Sequence, residues 1–390
     1  MSENDARTMI LKMLAEGKIT VEESERLLNA VSQENHGRNG NEEKKETKNE
    51  NRFDPLSGIP FLEGTKLALN LRNMAQTVQQ TVQTAIKNIE PQRQDLKEKM
   101  KEFGGWMEDM VETMASELSN HNGLPADSMS VDFIVPTPKG FENCKEVEIE
   151  NIYGEIRVNE GPDFKLLVSG QVSKNVLGEL QSSEWFTNNA IRVIDNKLYI
   201  GFDNSISLKA IIDLNLTIPA GIKIICKTID SAVKTHGPVE ISEIKTVSGN
   251  ISADNSIFNT TEIETVSGAI QLDGIKDLNA EINPTQGDLI IRNCGLNKIK
   301  IKTVNGDTII ANSAIGLNTD VKITTTAGSI NVEKLNGPWK SVEAISRSGE
   351  INITWRGDTN TNGNQRVSVK SGGEGAIFYA ESAKGIIKFS

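Results

Sequence analysis

A chain of 390 residues with 37% hydrophobic and 24% charged content is too long for one ordinary domain and too apolar for wholesale disorder. Aromatic side chains make up only 5% while glycines number 32, which excludes an aromatic-rich sandwich and fits a turn-rich β architecture. With 42 basic against 53 acidic residues the net charge is -11, a poor match to phosphate-backbone binding, which needs a concentrated basic face, and no nucleic-acid partner is expected.

Cys144, Cys226 and Cys294 are odd in number, far apart and without a Cys-x-x-Cys pair, so neither a disulfide framework nor a zinc site is predicted. His36, His121 and His236 are the only histidines, too few for imidazole-based metal or acid–base chemistry, and no cofactor is expected. The stretch from Met1 to Ile10 lacks the apolar core of a secretory signal. No run approaches the roughly 20 apolar residues of a spanning helix. The longest, Ile206 to Ile218, is interrupted by Lys209 and Asp213. The expected location is cytoplasmic or peripheral at the membrane.

Residues 1–34 read as a helical hairpin. Met9, Ile10, Met13 and Leu14 recur at helical spacing, Glu16-Gly17-Lys18 interrupts them, and Thr20 with Glu23 forms a capping box before Val21, Leu27, Leu28 and Val31. Residues 35–64 read as a flexible linker, polar from His36 to Arg52. Residues 65–120 predict two amphipathic helices divided at Pro91. Leu67, Leu71, Met74, Val78, Val82, Ala85 and Ile89 line one face of the first, beside Lys66, Arg72 and Lys87. Leu96, Met100, Phe103, Met107, Met110, Met114 and Leu118 line the second, beside Trp106, with Gly104-Gly105 weakening its middle. These stripes either face each other in a hairpin or dock on a bilayer or a hydrophobic peptide. In the second case Lys66, Leu67, Leu71, Arg72, Met74, Val78, Val82, Phe103, Trp106, Met107 and Met110 are the contact residues.

From about Val131 onward the chain repeats. The frame Thr246-Val247-Ser248-Gly249 returns at Gly268, Gly287 and Gly306 in steps of 19 residues, then at Gly328 and Gly349 in steps of 22 and 21. A copy without the glycine precedes the run, from Thr228 to Val233. Five residues before each glycine stand Ile244, Ile263, Ile282, Ile301, Ile323 and Ala344. Two after stand Ile251, Ile270, Leu289, Thr308, Ile330 and Ile351, and four after stand Ala253, Leu272, Ile291, Ile310, Val332 and Ile353. Period-2 alternation inside a repeat of about 20 residues predicts a mainly β fold, a parallel β-solenoid whose stacked rungs bury the inward columns. The glycines mark sharp turns or close rung-to-rung approach.

The domain spans 131–390, with an irregular part at 131–227 and regular rungs at 228–390. In the irregular part, Asn151 to Val158 reads as an early rung, Ile191–Val193 and Lys197–Ile200 as a hairpin across Asp195-Asn196, and Ile211 to Ile218 as a strand. The Gly349 rung is expected directly after the Gly328 rung, with the tail Ala376–Phe389 finishing the far end.

The glycine-centred rungs, the Asn-x-Tyr-Gly-Glu-Ile segment at Asn151 and the leading hairpin from Ile10 to Leu28 together resemble the LiaX/YvlB-type proteins of Gram-positive bacteria. These pair a SHOCT-like hairpin with a putative-adhesin β-helix domain, and the resemblance covers about Met1–Ser32 and Val131–Ser390. It implies a role in cell-envelope stress: sensing antimicrobial peptides, or modulating a membrane-bound stress regulator. It also admits display at the cell surface and binding of cell-wall polymer. It supplies no catalytic motif.

β-Helices also host carbohydrate-active enzymes, which place Asp, Arg and Lys side chains on neighbouring rungs of one outer face. Asp288 and Asp307 follow their glycines directly and stack about 4.8 Å apart. They form either a weak cation site or acid pair, or, as the turn context favours, two solvated turn residues. Ile290 and Ile309 lie beside them, which weakens a hydrolytic sugar face. No Gly-x-Ser-x-Gly, phosphate loop or calcium nonapeptide is present, and the expected protein is not an enzyme. Cys294, seven residues after Gly287 where other rungs carry Ser256, Ile275 and Ser313, reads as a packing residue.

Overall fold

The computed structural model describes residues 128–173, 183–202, 210–355, 358–362, 366–371 and 373–390. Their fold is a β-solenoid with one short α-helix and a single 3-10 turn at Phe141–Asn143. It opens with β1 (Ser128–Val135), β2 (Glu146–Glu160), β3 (Lys165–Ser173), α1 (Ser183–Ala190), β4 (Ile191–Ile194), β5 (Lys197–Ile200), β6 (Ala210–Ile218) and β7 (Lys223–His236). Both β2 and β7 are long enough to form a whole rung, and they pair in parallel from Glu146↔Lys223 to Asn159↔His236. On its other side, β2 is met by β5 over Glu146–Ile149 and by β6 over Ile156–Glu160, both in parallel.

Antiparallel strands then close this end. β4 pairs with β5, β3 with β6, and β1 with β3. The β4–β5 hairpin turns at Asp195 and Asn196 with φ of 50° and 62°, the left-handed pair that a two-residue turn demands and that Asp and Asn tolerate.

Regular rungs follow, each a long strand, a turn at glycine and a strand of four residues. They are β8 (Glu240–Ser248) with β9 (Ile251–Asp254), β10 (Thr261–Ser267) with β11 (Ile270–Asp273), and β12 (Leu278–Gln286) with β13 (Leu289–Arg292). Next come β14 (Gly295–Asn305) with β15 (Thr308–Ala311), and β16 (Ala314–Ala327) with β17 (Ile330–Glu333). Successive rungs pair in parallel with equivalent residues side by side: Ile244, Ile263, Ile282, Ile301 and Ile323 form one fully buried column. Ile251, Ile270, Leu289, Thr308 and Ile330 form the second, and Ala253, Leu272, Ile291, Ile310 and Val332 the third. Each buried isoleucine contributes about 1.5–3 kcal/mol over exposure, so the inward columns carry the stability. Cys226 is the member of the first column contributed by β7, opposite Ile244, and Cys294 is buried in the slot expected for it.

Gly249, Gly268, Gly287, Gly306 and Gly328 all have positive φ, and a Cβ on any of the last four would be driven into the carbonyl oxygen of the glycine one rung below. Both constraints, handedness and proximity, explain the residue. A second left-handed corner falls six residues later, at Asn255, Gly274, Asn293, Asn312 and Lys334, with φ between 52° and 68°. Asparagine tolerates this conformation, and its recurrence there was a signal the sequence reading passed over.

The far end departs from the expected order. After β17 the chain makes β18 (Trp339–Ser346) and β19 (Ile351–Trp355), then β20 (Asp358–Asn362) and β21 (Arg366–Lys370), then β22 (Ala376–Lys384) and β23 (Ile387–Phe389). β22 pairs in parallel with β16 on one side and β18 on the other, and β23 likewise lies between β17 and β19. The tail therefore does not finish the stack. It is inserted below the Gly349 rung, and Gly349 packs on Gly385 rather than on Gly328. Gly349 also lacks the left-handed backbone of its column mates. The outer edge is closed by β20 and β21, antiparallel to β19 and β18.

Aromatic side chains gather at the two ends. Phe186 packs edge-on against Phe133 at 5.7 Å and Phe202 at 5.0 Å, with Trp185 5.6 Å from Phe202. At the other end Phe378 stacks on Trp339 at 5.2 Å and meets Phe389 at 5.9 Å. Inside the stack each side chain must match its neighbour 4.8 Å or so away, which favours isoleucine. At an end it must fill a closing surface, which favours large rings.

Candidate functional site

The solenoid offers two outward faces. On the face of long strands, Glu243, Glu262 and Glu281 stand in register on β8, β10 and β12, and the same column continues as Lys300, Lys322 and Tyr379 on β14, β16 and β22. Strands β8, β10 and β12 carry Glu240, Glu243, Glu262, Glu264 and Glu281 against Lys245 alone, whereas β14 and β16 carry Lys298, Lys300, Lys302 and Lys322 against Asp320. One half of the face is acidic and the other basic.

Ion pairs stitch the columns. Lys245 reaches Glu243 at 3.0 Å and Glu264 at 3.6 Å, and Glu281, at the boundary, is held by Lys300 at 3.3 Å and Lys302 at 3.4 Å. Burial alone would lower the Lys245 ammonium, but its carboxylate neighbours, Glu243 first, more than offset this and raise it.

Nearer the first rung, Glu148 is almost fully buried and bonded to both Lys197 and Lys227, with Lys197 also 2.8 Å from Glu146. Burial pushes the Glu148 carboxyl up, yet the two ammonium groups outweigh it and hold the group below the usual carboxylate range. A depressed folded value makes Glu148 stabilising above the pH at which it titrates in the unfolded chain, and this contribution is lost as pH falls through the folded value. Urea midpoints followed by circular dichroism should therefore drop as pH falls below about 5, and drop less steeply in Glu148→Gln. Equal slopes in the two proteins would remove Glu148 from the acid response.

The face of short strands carries one uncharged column beside charged ones, with Asp254, Asp273, Arg292 and Glu333 at the ends of β9, β11, β13 and β17. Ser252, Gln271, Ile290, Ile309 and Asn331 lie side by side along it. Asp288 and Asp307 occupy adjacent rungs beside them, as expected, but each serves its neighbour's backbone. Asp288 Oδ1 accepts the Asp307 amide at 2.9 Å and Asp307 Oδ1 accepts the Ser329 amide at 2.7 Å. Asn250 does the same for Ala269 at 2.9 Å. The column after the glycines is thus a chain of rung-to-rung hydrogen bonds, each worth roughly 0.5–1.5 kcal/mol. Among the described residues no group of three or more His, Cys, Asp or Glu side chains is placed to hold a metal ion.

Cys144, Cys226 and Cys294 are buried free thiols. Burial alone pushes Cys226 up to about 12, and burial is the leading cause that takes Cys294 to about 11, so both stay protonated and unreactive at neutral pH. The contact residues expected on the amphipathic helices, Lys66 through Met110, lie outside the described residues. No helix among the described residues is long and apolar enough to cross a membrane.

A comparison with curated proteins finds no match. Solved structures similar to this chain include a putative adhesin from Bacteroides fragilis, 13% identical with a TM-score of 0.40, covering 68% of this chain and 98% of that one. A putative adhesin from Parabacteroides distasonis is 10% identical with a TM-score of 0.35, covering 68% and 99%. A putative cell adhesion protein from Clostridium sporogenes is 13% identical with a TM-score of 0.22, covering 67% and 98%. Residues 195–385, which hold the regular rungs, match the family described as Toastrack DUF4097, and residues 6–36 match a SHOCT-like domain.

Proposed function

We propose that this chain is a non-enzymatic cell-envelope stress protein of the LiaX/YvlB type. Its solenoid acts as a rigid scaffold that engages cationic antimicrobial peptide, and its helical N-terminal region docks on membrane or on a membrane-bound regulator. The observation that carries the proposal is the segregated charge of the long-strand face: five glutamates and one lysine on three consecutive rungs. An extended or helical cationic chain laid along those rungs meets a carboxylate at every step, and the resulting attraction is salt-dependent. The pairing of a SHOCT-like match with a Toastrack match in one chain supports the same assignment.

The test is titration of the full chain with a fluorescent cationic amphipathic peptide at low and high salt. Glu243→Gln, Glu262→Gln and Glu281→Gln combined should weaken binding about threefold or more at low salt, at roughly 0.2–1 kcal/mol for each of these half-buried carboxylates. Affinity that ignores both the substitutions and the salt would refute it. A second reading, an adhesin-like module for cell-wall polymer, is favoured by the uncharged column Gln271, Ile290, Ile309 and Asn331 in line on the short-strand face. Binding of purified cell-wall polymer that survives the triple substitution would select it.

A further inference from the structure

The insertion of β22 and β23 below an already formed rung has a consequence for how copies of this chain can associate. The two rungs flanking the insertion are equivalent in every inward column. Val321 and Val342 both pair with Phe378, Ile323 and Ala344 with Ala380, and Thr325 and Ser346 with Ser382. Ile330 and Ile351 both pair with Ile387, and Val332 and Ile353 with Phe389. The slot between them is thus built entirely by β16 to β19. Its occupant is a separate C-terminal segment, reached through β20, β21 and a joint from Ser371 to Gly375 whose sequence holds three glycines. At the end of that joint Gly375, at φ +155°, packs against the backbone of Pro338 as the chain passes the start of β18.

Slot recognition is carried by parallel backbone pairing and by a side-chain pattern that recurs through the stack. Neither feature distinguishes the chain's own tail from that of another copy. We propose that β22 and β23 form an exchangeable rung: two copies swap their C-terminal segments, each filling the slot of the other. The exchange is reciprocal and closes at a dimer, and it restores every rung-to-rung contact of the monomer, so only the joint differs between the two forms. It is favoured during folding, when β16 to β19 stand formed with the slot open and another chain's tail is in reach.

The experiment uses the full chain carrying Ala344→Cys and Ala380→Cys. These residues are parallel neighbours in register, and the roughly 4.8 Å spacing of paired strands lies within the Cα range of a disulfide. The protein is unfolded in urea with reductant, refolded at about 1 μM and at about 100 μM, oxidised, and run on a non-reducing gel. The expected result is a monomer-sized, internally bridged band at the low concentration and a reductant-sensitive dimer at the high one. Light scattering of the unsubstituted chain refolded the same way should show the dimer-to-monomer ratio rising in proportion to concentration. A chain ending at Ser371 should show no such dimer. Monomer alone at both concentrations overturns the proposal, and so does a dimer that survives removal of the tail.

Discussion

Gly287→Ala should lower stability by about 3 kcal/mol or more, with the urea midpoint of the solenoid as the measurement. Two costs combine at this position. The backbone sits at φ +129°, where an L side chain is strained, and the new Cβ points at the carbonyl of Gly268 on the adjacent rung. That carbonyl belongs to the turn between β10 and β11, which the Gly268 and Ile270 amides tie to Gln286 and Asp288 of the next rung, so it cannot move aside without loosening those bonds. Two other glycines separate the costs. Gly221, at φ +82° with open space around its missing Cβ, should lose only about 1 kcal/mol on substitution by alanine. Gly316, whose backbone is ordinary and whose nearest neighbour is Thr319 Oγ1 at 4.0 Å, should lose nothing or gain a few tenths. If all three variants melt alike, close glycine stacking does not hold the rungs in place.

The second large effect is expected at Ile282. It is fully buried between Ile263 and Ile301, so truncation to alanine opens a cavity flanked on both sides by branched side chains that cannot collapse into it. The cost should be about 2–5 kcal/mol. Ile290 lies one strand further on, points outward and is only partly covered by Ile309. Its alanine variant should lose about 1 kcal/mol or less. A reversal of this order would mean that the strand is slipped by one residue, since a one-residue shift exchanges the two faces of every strand. Because each rung touches only its neighbours, the Ile282 defect should also be felt most by rungs β10 to β14.

The columns were legible in the sequence because a rung-to-rung contact repeats at a fixed interval, and the same physical demand recurs at each copy. That is why Ile244 through Ile323, the glycines from Gly249 to Gly328 and the Asp195-Asn196 turn fall where they are expected. Stacking order was not legible. The frame at Gly385 is complete, with Ala380 five residues before it, Ile387 two after and Phe389 four after. It stands 36 residues from Gly349, however, because β20 and β21 intervene, and position along the chain says nothing about which rung lies beneath which. The carboxylates of Asp288 and Asp307 mark another limit. Their partners are amides of the next rung, 19 and 22 residues away, and only the three-dimensional register brings acceptor and donor together. The short helix α1 was also missed, its eight residues offering too brief a pattern to distinguish from a loop.

The separation of a uniform middle from two specialised ends gives this fold a unit of growth. The turns from Gly249 to Gly306 consume 19 residues each, the step from β7 takes 18, and the step to Gly328 takes 22 because β16 begins with extra residues around Gly316. Aromatic clusters and antiparallel strands lie toward the termini of the stack, with Phe258 the buried ring between β9 and β10. Lengthening or shortening by one whole turn therefore leaves both terminations intact, and extra residues are accommodated where, as around Gly316, they bulge from the start of a strand and leave β17 in register with β15 and β23. Size in such a molecule is quantised, and the reach of its outer faces changes in steps of about 4.8 Å.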